Sequence, residues 1–141
     1  ALDYAIEEVQ PKEIDEVVLR AQKYRKLNYL EAEVMSKVIS RLKPDIVYVD
    51  ASDISEERFK ENIMRTLTIN VEIISRHHAD AIYPVCSAAS ILAKVRRDEI
   101  INELKKKYGD FGSGYVTDPK TIQFITNWVK YRKFVKEKQE L

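Results

Sequence analysis

Apolar positions change their spacing several times along the chain, and each change predicts an element. Leu2-Asp-Tyr-Ala-Ile-Glu-Glu-Val9 alternates loosely, which predicts a short strand closed by Pro11. From residue 27 the period lengthens. Leu27, Leu30, Val34, Val38 and Leu42 recur at intervals of three and four, the stripe of a helix, and Lys43-Pro44 stops it. Ile46-Val-Tyr-Val49 is a compact β-branched run and predicts a buried strand, closed by Asp50-Ala-Ser-Asp53. Ser55-Glu-Glu predicts a helix start leading into a short helix near 56–66. Val71-Glu-Ile-Ile74 predicts a second strand, and Pro84 ends any regular ladder beyond it. The strongest helix is predicted over 87–108, with Ala88, Ile91, Leu92, Val95, Ile101, Leu104 and Tyr108 on one face. Gly109 supplies its C-cap, Gly112-Ser-Gly114 a flexible loop, and Asp118-Pro119 opens a last helix through Trp128. Strands alternating with helices predict an α/β domain.

Composition narrows the class. Apolar residues make up 45% of the 141 and charged ones 33%, which fits a globular domain and excludes a disordered chain. No apolar run approaches the roughly 18 residues of a membrane span, so no membrane partner is expected. A single Cys86 makes no internal disulfide, and a cytoplasmic location follows as the expectation. The net charge of +1 conceals a gradient. Residues 1–20 set six acids against Lys12 and Arg20, for −4, whereas 120–141 set six bases against Glu137 and Glu140, for +4. A basic C-terminal end suits a polyanion, although charge alone favours a solvated helix face.

The chain has no Gly-rich phosphate loop, no paired CxxC and no HExxH. What stands out is two carboxylates beyond two predicted strands: Asp50 directly after Ile-Val-Tyr-Val, and Asp80 a few residues after the other. Sites in open α/β sheets gather at the carboxyl ends of strands. Two acids converging there repel unless a cation neutralises them, and hard Mg²⁺ or Mn²⁺ suits carboxylate oxygens. The alternative is that Asp50 caps a strand-to-helix turn and Asp80 sits in a solvated one. His77-His78 reads as a half-exposed polar turn, because adjacent side chains diverge on a strand and no Cys pair accompanies them. Ser87, Ser90 and Lys94 lie along one helical stripe, where hydroxyls and an ammonium can hold a phosphate; capping by Ser87 plus a surface Lys is the plain alternative. Tyr115 follows the glycine loop and is either a base or sugar contact or a packing ring.

Four segments carry a resemblance. Lys43-Pro-Asp-Ile-Val-Tyr-Val-Asp-Ala-Ser-Asp53, His77-His-Ala-Asp-Ala-Ile-Tyr-Pro84, Ser87-Ala-Ala-Ser-Ile-Leu-Ala-Lys-Val-Arg-Arg-Asp98 and Tyr108-Gly-Asp-Phe-Gly-Ser-Gly-Tyr115 closely resemble the type 2 ribonuclease H family in its archaeal form. The likeness runs from about Leu27 to Phe124. It implies a ribonuclease H-like mixed sheet flanked by helices, as one partial domain over 1–141 with a helical C-terminal part from about 119. It also implies divalent-metal-assisted cleavage of the RNA strand of RNA–DNA hybrids, and of duplex DNA at embedded ribonucleotides. Asp50 and Asp80 match the third and fourth of the family's four metal-binding carboxylates, with Mg²⁺ or Mn²⁺ as cofactor. Tyr115 matches the tyrosine that senses the ribose 2′-hydroxyl; Ser90 and Lys94 fall on the helix approaching the substrate backbone, and His77 matches a histidine near the site.

The departures are specific. The family's opening Asp-Glu-Ala-Gly-Arg-Gly strand, which supplies the first two carboxylates, and its Ser-Lys-Lys segment are not found here, and Leu2–Val9 resembles the family's third strand. The chain is therefore expected to begin partway through the domain, to lack its first strands and to be inactive alone, the complete protein being a monomer. A non-catalytic nucleic-acid-binding module, or an inactive fragment of the enzyme, is the alternative.

Overall fold

The computed structural model describes residues 3–19 and 27–139. The chain is α/β and falls into two compact units, residues 1–93 and 94–141.

The first unit contains α1 (Pro11–Leu19), α2 (Leu27–Leu42), β1 (Ile46–Asp50), α3 (Glu56–Thr66), β2 (Glu72–Arg76), the short α4 (Ala79–Ile82) and the start of α5 (Pro84–Tyr108). β1 and β2 pair in parallel, from Ile46 opposite Glu72 to Asp50 opposite Arg76, with α3 as the crossover between them. Parallel neighbours need such a crossover, because a tight hairpin reverses direction. Ser55 starts α3 as an N-cap, its hydroxyl accepting from the Arg58 N–H. The core lies between this helix, α2 and one face of the strand pair: Ala32, Ile39, Val49, Phe59, Ile63 and Ile73.

Several expectations need correction. Residues 3–9 form no strand, and the expected strand's Leu2 lies outside the described residues. A strand exists through its pairing, which loose alternation does not supply. Pro11 instead opens α1, whose Glu13 carboxylate accepts the Gln10 N–H at 2.8 Å. On α2 the buried positions are Ala32, Ser36 and Ile39, not the Leu27–Leu42 stripe, because small residues let this helix sit close to α3. Within β1 only Val49 is buried, so the strand is half-covered. β2 runs two residues further than its apolar run, as the Ser75 and Arg76 backbones continue the ladder.

The second unit comprises the rest of α5, a loop over 109–118 and α6 (Pro119–Gln139), which continues well past Trp128. Helix α5 begins at Pro84 rather than 87, so Ser87 lies inside the first turn and is not its N-cap. None of its residues is buried, although Ile91, Leu92, Val95, Leu104 and Tyr108 share the expected stripe. Helical spacing reports which residues are fit for burial, not whether a surface covers them. Phe111 and Thr121 are the buried residues of this unit among those described. Phe111, Phe124 and Trp128 stack in sequence, with centroids 5.5 and 6.0 Å apart, and Tyr108 meets Trp128 edge-on at 5.8 Å.

Candidate functional site

The site in the first unit is built at the carboxyl end of β1. Val47 and Val49 point into the core, so the alternate residues Tyr48 and Asp50 point to the other face. Tyr48 stacks on Tyr83 with centroids 4.4 Å apart, and its carbonyl accepts from the Cys86 thiol at 3.2 Å. Asp50 is exposed and accepts the backbone N–H of Ala79 at 3.3 Å. That N–H opens α4, whose next residue is Asp80, also exposed. The turn into α4 depends on His78 holding a left-handed φ of 55°, a conformation His tolerates better than most non-glycine residues. Asp80 therefore stands in a helical first turn, not at the end of β2.

Cys86 lies within the electrostatic reach of both acids. Burial pushes its thiol up, and the charges of Asp50 and Asp80 push it further in the same direction. Two carboxylates thus act on one sulfur. Among the described residues no third His, Cys, Asp or Glu joins them in a ligand-like group. Mg²⁺ is commonly held by one or two carboxylates, with waters and substrate phosphates completing its shell, so this donor pair fits such an ion as a partial set. The protonated thiol adds no competing soft ligand.

His77 is exposed and fully engaged. Its ring nitrogens lie 3.3 Å from the Ala51 carbonyl and 3.2 Å from that of Ile54, and its N–H donates to Glu56 at 2.8 Å. It braces the segment that follows Asp50. The same N–H is the largest cause holding the Glu56 carboxyl below its usual range. Asp53, in that segment, is only 4% exposed. It accepts from Asn28 at 2.6 Å, from the Ser55 N–H at 3.1 Å and from both Nε and Nη2 of Arg58. The Arg58 guanidinium holds its carboxyl far below the ordinary value, despite the opposing effect of burial. Asp53 serves as the tie between the β1–α3 turn and α2, an involvement that the Asp-Ala-Ser-Asp pattern does not reveal.

On α5, Ser87, Ser90 and Lys94 share a stripe, with Ser90 half-buried and Lys94 exposed. In the second unit Tyr115 is 49% exposed, beside an open pocket of about 350 Å³ lined in part by Arg97, Asn102, Lys105 and Ser113. The loop before it is tied by several hydrogen bonds. Gly112 and Gly114 hold φ of 87° and 78°, which explains the glycines. Asp118 caps α6 by accepting the Lys120 N–H at 2.9 Å and reaches back to the Ser113 N–H at 2.6 Å. Thr121 donates to the Phe111 carbonyl at 2.9 Å and accepts from the Gly114 N–H at 3.0 Å. Arg97 carries no signal in the sequence, yet its guanidinium carbon lies 3.7 Å from the centre of the Tyr115 ring. No spacing rule links residues eighteen apart through a loop.

Comparison with known proteins places the chain in a family. A family model described as Ribonuclease HII matches residues 1–139. The chain is 51% identical over 131 residues to a Ribonuclease HII of Methanosarcina barkeri, covering 87% of this chain and 57% of that protein. It is 48% identical over 130 residues to a Ribonuclease HII of Pyrococcus furiosus, covering 91% and 55%. Among solved structures, the PCNA:RNase HII complex from Archaeoglobus fulgidus superposes with a TM-score of 0.77 at 37% identity, covering 87% of this chain and 58% of the other. The ribonuclease H2 from Pyrococcus horikoshii gives 0.75 at 42%, covering 89% and 57%. The chain thus spans somewhat over half the length of the relatives it matches.

Proposed function

Because the chain belongs to the ribonuclease HII family, we propose that it supplies the Asp50–Asp80 part of an endonuclease site that cuts the RNA strand of RNA–DNA hybrids, and DNA duplexes at embedded ribonucleotides, using Mg²⁺ or Mn²⁺. The observation that carries this is the placement of Asp50 against the N–H that opens α4, one residue before Asp80. One oxygen of Asp50 accepts from that N–H, and the residue is exposed to solvent. Asp80, in the first turn of the same short helix, adds a second hard donor. When bound to these two carboxylates, a divalent ion supplies Lewis-acid polarisation and charge neutralisation at the scissile phosphate. Ser90 and Lys94 offer a hydroxyl and an ammonium to the substrate backbone, contacts that position a duplex without reading its sequence. The exposed Tyr115 ring packs against a ribose and reads its 2′-hydroxyl, the group that distinguishes RNA from DNA. His77 acts through the carbonyls it braces. The intact protein works as a monomer in the cytoplasm, where a lone thiol such as Cys86 stays reduced.

The test uses the intact protein carrying this sequence, a DNA duplex with one embedded ribonucleotide, and Mn²⁺. Asp50→Asn and Asp80→Asn should each lose on the order of 100-fold or more in turnover, with the melting temperature held. Wild-type turnover by Asp50→Asn refutes the assignment. Binding of hybrids without metal-dependent cutting by the unaltered protein identifies a binding module instead.

A further inference from the structure

Tyr115 follows a loop and is half in solvent, so something must hold its ring if it is to meet a sugar in one orientation. We propose that Arg97 is the positioning residue for Tyr115: it backs one face of the ring and fixes the loop beneath it, so that the other face is presented to the ribose. The inference rests on the assignment of Tyr115 as the ribose reader.

The geometry uses both the flat face and the fork of the guanidinium. Its central carbon stands 3.7 Å from the ring centroid, the separation of a close cation–π stack. Nη2 donates to the Ser113 carbonyl at 3.1 Å, two residues before the tyrosine. Nη1 donates to Asp98 at 3.2 Å. One side chain thus grips both the ring and the backbone that carries it. Gly114 is part of the fit, since a Cβ there would stand 3.3 Å from Nη2 and 2.7 Å from Ile101 Cδ1. The loop backbone lies this close to α5 only without a side chain. With its side chain 29% exposed and each terminal nitrogen donating within the protein, Arg97 is held against Tyr115 and its loop. A lysine cannot replace it, because an ammonium is a point charge with no flat face and no fork.

Three variants of the intact protein (Arg97→Met, Arg97→Lys and Tyr115→Ala), plus the Arg97→Met/Tyr115→Ala double variant, are assayed for kcat/KM on a duplex with one embedded ribonucleotide. Arg97→Met keeps the aliphatic stem and should lose about 10- to 100-fold, the scale of a misplaced positioning group. Arg97→Lys should fail to rescue, and the double variant should be no worse than Tyr115→Ala. In the unaltered protein, NMR should find the Arg97 δ-methylene protons shifted upfield by the ring and restored in Tyr115→Leu. This measurement does not depend on the arginine variants folding. Wild-type activity of Arg97→Met, or unshifted protons, overturns the proposal. So do losses that multiply in the double variant together with a salt dependence shallower by about one phosphate contact, which would make Arg97 a phosphate anchor. Wild-type activity of Tyr115→Ala, seen with Arg97 intact, removes the ribose assignment and this inference with it.

Discussion

Phe59 lies at the centre of the first unit with no exposed surface, on the crossover helix α3 and in a core shared with α2, β1 and β2. Replacing it with alanine removes about 100 Å³ of side chain. At roughly 24 cal/mol per Å³, a cavity that does not collapse costs about 2.4 kcal/mol, and the lost transfer of the ring adds about 2. Collapse is restricted here. Helix α3 is held at its start by the Ser55 cap and by Arg58 on buried Asp53, so it cannot slide inward to fill the space. The expected cost of Phe59→Ala is therefore about 4 kcal/mol, within the roughly 3–5 kcal/mol of such substitutions. Met64 on the same helix is half-exposed, and Met64→Ala should stay within about 1 kcal/mol of the unaltered protein. The assay is urea unfolding of the intact protein, comparing midpoints at a common slope. A cost below about 1.5 kcal/mol for Phe59→Ala would mean that this cluster is not the core that sets the strand pair.

The loop of the second unit carries its own tests. The Ser113 backbone N–H and its neighbours hold the Asp118 carboxyl at about 2, and the Lys120 ammonium holds Asp110 at about 2, both from an ordinary value of 3.8. Folded values below unfolded ones mean stability that is present above about pH 4 and lost as the pH falls through about 2. The Ser113 amide resonance should titrate with a midpoint near 2; a midpoint near 3.8 would show that Asp118 does not hold the loop. Gly109 and Gly112 have nearly the same φ, 85° and 87°, but a Cβ at Gly109 meets nothing within 4 Å, whereas one at Gly112 presses into the Asp118 carboxylate and stands 3.0 Å from Thr121 Oγ1. Gly112→Ala should therefore lower the melting temperature clearly more than Gly109→Ala, and equal shifts would refute the close approach.

Local chemistry was legible in the sequence, and coverage was not. Ser55, Gly109 and Asp118-Pro119 announced their helix ends because caps act within a few residues. The two paired strands were legible from β-branched runs, to within two residues. Leu2–Val9 misled because alternation marks a strand only where a partner exists, and the stripes of α2 and α5 misled because periodicity does not name the covering surface. The candidate carboxylates were visible as acids after strands, yet nothing in their spacing showed that Asp80 sits on a four-residue helix whose first N–H Asp50 engages. Arg97 was not visible at all, since its partner comes from a loop whose course depends on Thr121 and on two glycines at positive φ.

The core and the candidate site are set by the same register. Val47 pairs with Ile73 and Val49 with Ser75, and the two valines and Ile73 pack with Phe59 and Ile63. The alternation of the pleat then sends Tyr48 and Asp50 to the opposite face, where Tyr83, Cys86 and the start of α4 receive them. Slipping β1 by one residue would exchange the two sets, burying a carboxylate against phenylalanine and turning valines toward solvent. The energetic penalty for that exchange is large, because an unpaired buried carboxylate is among the costliest groups to desolvate. Apolar burial on one side of a two-stranded pair thus aims an acid on the other, and no residue of the site has to specify its own direction.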